Sequence, residues 1–176
     1  MISLSELNGA DRAGFVAQLG SIFEHSPWVA ERAWERRPFA TPDALHEAMV
    51  AVVDEAGEDA RISLLRAHPE LAGREAQRGG MTEHSTREQG GSGLLHCSAE
   101  ELARLKELNR AYGEKFGFPF IIAVSGMDRA GIIAAMTRRL SQERDAEVAE
   151  ALRQVARITR FRLMATVMPG ALAPLP

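Results

Sequence analysis

"SAEELARLKELNRAYGEKFG", residues 98–117, decides the class of fold. It opens with a capping box. Ser98 is placed to accept from the backbone N–H of Glu101, and Glu101 to reach back to the N–H of Ser98. Leu102, Leu105, Leu108 and Tyr112 then recur at the period of one helix face. The same period runs outward in both directions. Phe15, Leu19, Ile22 and Phe23 are spaced as one face of an early helix. "TPDALHEAMVAVVDEAG", residues 41–57, has Thr41 as N-cap and Pro42 at the first helical position, where its missing N–H costs nothing. Its stripe is Leu45, Met49, Val52 and Val53. "DAEVAEALRQVARITRFRLMATVMPG", residues 145–170, is the longest helix. Asp145 is expected to cap it, Val148, Leu152, Val155, Ile158 and Phe161 or Arg162 to lie down one side, and Pro169-Gly170 to stop it. No stretch alternates strictly, and few turns look like hairpins. The pattern predicts an all-α fold, a single helical domain over 1–176 with about seven to nine helices.

The bulk properties narrow the function. A chain of 176 residues is long enough for one hydrophobic core. Hydrophobic residues at 45% and charged residues at 26% are ordinary for a soluble globular protein. The formal charge of −3 offers no basic footprint for nucleic acid. A lone cysteine, Cys97, excludes an internal disulfide and a cysteine-built zinc site, and fits a reducing compartment. "MISLSELNGA" lacks the basic start and long apolar stretch of a signal peptide. "FIIAV" is too short to span a bilayer, and "ALAPLP" bears no retention or peroxisomal address. A cytoplasmic protein that engages no membrane is expected.

Two segments break the helical pattern. In "RGGMTEHSTREQGGSGL", residues 78–94, glycine pairs flank a short polar helix. In "KFGFPFIIAVSG", residues 115–126, Pro119 pushes Phe118 out of the α region, so the backbone there is extended or irregular. Phe120, Ile121, Ile122 and Ala123 are apolar enough to be buried. Buried irregular backbone must find partners for its N–H and C=O groups, and a polar ligand is one candidate.

The candidate chemical residues each have two readings. His68 opens "HPELAG", residues 68–73, directly after the amphipathic "ISLLRA". Pro69 forbids that helix from continuing, so the imidazole either points into a cleft or sits on the surface beside the helix C-terminus. Glu88, with Ser85 in the short polar helix, is either functional or a solvated carboxylate. Arg162 lies close to the apolar stripe, where its stem can pack and its head snorkel. If it is buried, an unpaired charge would be costly, and an anionic or carbonyl group of a substrate is the expected partner. His84 and Glu88, or His68 and Glu70, could be imagined as metal ligands, but no HExxH or other recognised ligand spacing exists, so no metal is expected. The glycine pairs lack the GK[ST] of a phosphate loop. Cys97 has no sign of activation. A helical module that only grips a carboxylate or purine-like ligand is the competing reading.

A resemblance separates these readings. "HPELAG", "STREQGGSGL", "LNRAYGEKFGFPFIIAVSGMDRAGIIAAM" and "RITRFRL" occur in the order and spacing of the 2-oxo-4-hydroxy-4-carboxy-5-ureidoimidazoline (OHCU) decarboxylases of urate catabolism, and the likeness runs from about residue 5 to residue 168. Two positions stand apart. Ser125 occupies a place where many members carry a basic residue, and His84 matches no functional position of the family. The resemblance implies an all-helical homodimer without a cofactor that turns OHCU into (S)-allantoin and carbon dioxide. It implies His68, Glu88 and Arg162 as catalytic residues. Pro69 would shape the pocket, Ser85 and Gln89 would contact substrate, and Phe118 with the backbone around Phe120, Ile121 and Ile122 would receive its ureido and ring amides.

Overall fold

The structure, a computed structural model, describes residues 1–72, 82–91 and 97–168. Among these, nine α-helices, one 3-10 turn and two strands of two residues each are found, so the mostly helical reading holds. The chain forms two compact units. The first takes Met1–Arg61 and the chain from Ala156 onward; the second is Ile62–Val155.

The first unit begins with β1 (Ile2–Ser3), α1 (Leu4–Gly9) and α2 (Arg12–Leu19). Ser3 makes a capping box with Glu6, and Asp11 caps α2 by accepting from Gly14 N at 2.8 Å. Next come α3 (Pro27–Ala33), the 3-10 turn Trp34–Arg36 and α4 (Pro42–Asp54). Thr41 caps α4 as expected, its Oγ1 accepting from Ala44 N at 3.0 Å, and Pro42 stands in the first turn. Leu45, Met49, Val52 and Val53 are all buried. The unit closes with β2 (Val167–Met168), paired in parallel with β1 through Ile2↔Val167 and Ser3↔Met168. Two-residue strands are too short for any alternation to announce them. The early apolar face differs from the expectation in one respect: α2 stops at Leu19, and Ile22 and Phe23 are buried from the turn that follows it.

The second unit holds the end of α5 (Glu58–Arg66), α6 (Glu83–Gly91), α7 (Ala99–Phe116), α8 (Arg129–Arg139) and the first part of α9 (Arg144–Thr166). The capping box of α7 is formed: Ser98 Oγ accepts from Glu101 N at 3.1 Å, and Ser98 N donates to Glu101 Oε2 at 2.8 Å. At its other end Gly117 adopts the left-handed conformation (φ 79°), which glycine enters without the Cβ penalty. Asp128 caps α8, and Lys115 Nζ donates to the carbonyls of Leu140 and Gln142 at 2.7 and 2.8 Å just past its end.

The longest helix corrects three expectations. It starts at Arg144, so Asp145 lies in its first turn and complements the helix dipole rather than serving as the cap. It gives way to β2 after Thr166, and the expected Pro169-Gly170 stop lies outside the described residues. Its buried line is also rotated from the apolar stripe. Val155, Ile158 and Arg162 of the expected stripe are buried, but Val148 and Leu152 are only half-buried and Phe161 is 52% exposed, and Glu147, Ala151 and Thr159 are buried beside them. The polar members of that line find hydrogen-bonding partners inside, which lets them take core positions. Among the described residues no helix is long and apolar enough to cross a membrane.

Candidate active site

The His68 turn is built by the end of α5. Proline at 69 cannot continue the helix. The last turn tightens, with Ala67 N donating to Ser63 O and Leu64 O, and His68 N to Leu65 O at 3.3 Å. His68 is 7% exposed, which removes the surface-histidine reading, although the ring does use the helix end: Nδ1 lies 3.1 Å from Leu64 O. A carbonyl can only accept, so Nδ1 carries the proton of the neutral ring and Nε2 is the basic nitrogen. The turn is pinned on both sides. Arg66 Nε donates to Gly117 O at 2.8 Å, and Asn109 Nδ2 donates to Leu71 O at 3.0 Å. Pro69 is half-buried and Glu70 exposed.

Helix α6 carries Ser85 and Glu88 three residues apart, hence on one face. Ser85 is buried and its N–H donates to Thr82 Oγ1 at 3.3 Å; Glu88 and His84 are half-buried. Gln89 lies on this helix, but its side chain is outside the described residues.

The segment after Gly117 has no regular secondary structure, as its proline predicted. Phe118, Phe120, Ile121 and Ala123 are buried and Ile122 half-buried. Phe116, Phe118 and Phe120 surround the ring of Tyr112 with centroids 4.6, 5.9 and 5.2 Å away. Two of the buried backbone groups are satisfied by side chains of the chain itself. Arg139 Nη1 donates to Ile121 O at 2.8 Å, and Ala123 N donates to Gln154 Oε1 at 3.0 Å. Arg139 is in turn held by Glu147 Oε1 through Nε at 2.9 Å and Nη2 at 2.5 Å, and its guanidinium lies over the Phe120 ring at 4.5 Å. The Tyr112 hydroxyl donates to the same carboxylate oxygen. Burial, then the bond to Glu147 and its charge, push the Tyr112 phenol well above its ordinary range. None of Tyr112, Arg139, Glu147 or Gln154 had been singled out as a site residue. In the sequence Tyr112 shows only as the last member of the α7 face, and Glu147 and Gln154 only as falling in step with Ala151, Val155 and Ile158.

Arg162 belongs to the first unit. It is 3% exposed, so it is buried rather than snorkelling. Its charge has a partner within the protein. Glu24, also buried, accepts from Arg162 Nη1 at 2.7 Å, and Ile22 O is 3.4 Å from the same nitrogen. A second polar pair is buried in this unit: His46 Nε2 is 3.0 Å from Thr159 Oγ1. Cys97 is half-buried, and its thiol is pushed up by burial and by the Glu101 charge, the opposite of an activated nucleophile. Among the described residues no group of three His, Cys, Asp or Glu side chains is placed to hold a metal ion.

The sequence model described as OHCU decarboxylase fits residues 8–164, which lie in both units. The chain belongs to the OHCU decarboxylase family. It is 40% identical over 162 residues to the 2-oxo-4-hydroxy-4-carboxy-5-ureidoimidazoline decarboxylase of Haloferax volcanii, covering 92% of this chain and 94% of that one. It is 39% identical over 163 residues to the uric acid degradation bifunctional protein PucL of Bacillus subtilis, covering 93% of this chain but 32% of that longer protein. Among solved structures it is similar to an (S)-allantoin synthase, with a TM-score of 0.77 and 29% identity over 94% of this chain and 54% of the other.

Proposed function

We infer that this chain catalyses the reaction of its family: it is a carboxy-lyase of urate degradation that converts OHCU to (S)-allantoin and carbon dioxide. The observation that carries the residue assignment is the fixed imidazole of His68, buried at a helix break with Nδ1 committed to Leu64 O.

The chemistry asks little else. When the C–C bond to the carboxylate breaks, its electron pair needs a sink. OHCU supplies one in the C=N bond beside the carbon that bears the hydroxyl and carboxylate, so the reading calls for no cofactor. The pair forms a C=C bond to the ureido-bearing carbon, the C=N pair moves onto the ring nitrogen, which takes a proton, and an enol is left. Loss of the hydroxyl proton and delivery of a proton to the ureido-bearing carbon give allantoin. One proton is taken up overall, balancing the carboxylate charge lost as carbon dioxide. Delivery from one face makes one enantiomer.

In this reading His68 Nε2 moves the proton, since an imidazole titrates near neutral pH and this ring is held in one tautomer. Glu88 orients the imidazole or accepts from substrate N–H groups. Arg162 is a planar fork for a carboxylate or carbonyl, pre-aimed by Glu24. Ser85 and Gln89 contact substrate, Pro69 shapes the pocket, and Phe118 with the backbone of Phe120, Ile121 and Ile122 receives the ureide amides. Residues 1–176 act as one catalytic domain, as a cytoplasmic homodimer. The test is the decay of freshly generated OHCU followed by circular dichroism. Fast appearance of one allantoin enantiomer supports the reading; only the slow racemic route would leave a binding module.

A further inference from the structure

Ile121 and Ala123 are two residues apart, and both are held by side chains from neighbouring helices. Arg139 of α8 takes the Ile121 carbonyl at 2.8 Å, and Gln154 of α9 takes the Ala123 N–H at 3.0 Å. In an extended chain the N–H and C=O of one residue point to the same side, and those of its neighbours to the other. With the Ile121 carbonyl and the Ala123 N–H taken by side chains, an extended course through Ile122 would direct its N–H and C=O to the opposite edge. These are one donor and one acceptor side by side, the complement of a cyclic ureide or ureido edge, which also offers one N–H and one C=O.

Both grips are themselves held. Arg139 is fixed by two bonds to Glu147, which also accepts from Tyr112. Gln154 Nε2 donates to Glu150 Oε1 at 2.7 Å, which fixes which end of the amide faces Ala123. Arg139 is 6% exposed and Glu147 fully buried. A buried ion pair is an inefficient way to gain stability compared with apolar packing, because of its desolvation cost. What it does supply here is a fixed position for a carbonyl in a segment without a ladder of its own.

We propose that Arg139 and Gln154 are positioning residues that clamp one edge of the Phe120–Ala123 backbone and so present the Ile122 N–H and C=O to the ureide of the substrate. The inference rests on the reading of this segment as the substrate seat. It makes Gln154 a determinant of substrate affinity, acting through backbone rather than by contact.

The test uses the full chain and three measurements: KM and kcat for freshly generated OHCU, and the dissociation constant of (S)-allantoin by calorimetry. Gln154→Met keeps volume and removes both hydrogen bonds. It is expected to raise KM and the allantoin dissociation constant roughly tenfold, from loss of a buried hydrogen bond, and to change kcat less than about threefold. Exchanging the pair, Gln154→Glu with Glu150→Gln, restores an acceptor for Ala123 N–H and a donor between the two side chains. It should bring both constants back to within about threefold of wild type. A merely structural role would lower thermal stability without this split or this rescue. Should Gln154→Met not fold, Gln154→Asn, one methylene short of Ala123, is read in the same way. Wild-type KM and allantoin affinity in a folded Gln154 variant, or failure of the exchanged pair to recover them, would overturn the clamp. Wild-type protein that binds allantoin yet leaves OHCU to decay unaided would overturn the assigned activity instead, and the calorimetric arm would still judge the clamp.

Discussion

Glu24 and Arg162 form an ion pair across 138 residues of chain, 2.7 Å between Oε2 and Nη1, with side-chain exposures of 1% and 3%. Removing Glu24 takes a buried counter-charge away from Arg162. Glu24→Ala should therefore lower unfolding stability by about 3–5 kcal/mol in urea titration. An unchanged midpoint would mean that Glu24 contributes nothing to holding the arginine.

Arg162→Lys retains the charge and loses the fork. A hydrogen bond to a charged group is worth about 1.5–3 kcal/mol, so kcat/KM should fall roughly 10- to 150-fold. Because the arginine also bonds Glu24 and faces Ile22 O, Tm should fall as well. Arg160 is the control. It pairs with Asp43 at 2.9 Å, but both side chains are more than half exposed, so Arg160→Lys should leave activity and Tm nearly unchanged. If Arg160→Lys is the damaging change, the wrong arginine has been assigned.

His68→Asn should fold and lose about 10²- to 10⁴-fold in turnover, the usual contribution of a general acid–base residue. The buried ring with Nδ1 on Leu64 O motivates this. Retention of more than about a tenth of wild-type activity would exclude proton transfer by His68.

Helix caps and apolar stripes were legible because they depend on neighbours in sequence. Thr41, the Ser98–Glu101 box and the Leu45–Val53 stripe stand as read. The irregular, buried "FGFPFIIAV" was legible too, because Pro119 constrains Phe118 locally. The polar interior was not. An apolar period selects Val148 and Leu152 for the inner face of α9 and leaves Phe161 or Arg162 to complete it, whereas the helix leaves Phe161 exposed and buries Glu147, Thr159 and Arg162. Their partners, Arg139, His46 and Glu24, lie 8, 113 and 138 residues away. Charged residues are buried only when paired, and no local pattern announces so distant a partner. For Arg162 the burial that pointed to a substrate anion has Glu24 as a counter-charge inside the chain, a partner no local pattern predicts.

Turnover should survive exhaustive dialysis against a strong chelator, because OHCU carries its own electron sink and the motif set has no recognised metal-ligand spacing. Activity that disappears on dialysis and returns with a divalent ion would sink this reading of the chemistry.

Stability should fall at both ends of the pH range, through two named groups. Burial holds the His46 imidazole below its ordinary pKa; the Arg160 charge adds to this, while a hydrogen bond with the Ala156 backbone and the Asp43 and Glu47 charges oppose it. Thr159 Oγ1 donates to Ala156 O at 3.2 Å, so its lone pair accepts from a neutral Nε2–H of His46. As pH falls below about 6.5 the unfolded chain takes up the proton first, so stability is lost from there down to the folded pKa. Tyr112 works in the other direction. Its phenol is raised in the folded chain by burial and by Glu147, so above about pH 10 the unfolded chain ionises first and stability falls as pH rises. Urea midpoints measured from about pH 5 to 11 should show both limbs. His46→Gln should flatten the acid limb between about pH 5 and 6.5 and leave the alkaline one, and Tyr112→Phe should do the reverse. An acid limb in His46→Gln as steep as in wild type would show that some other group sets it.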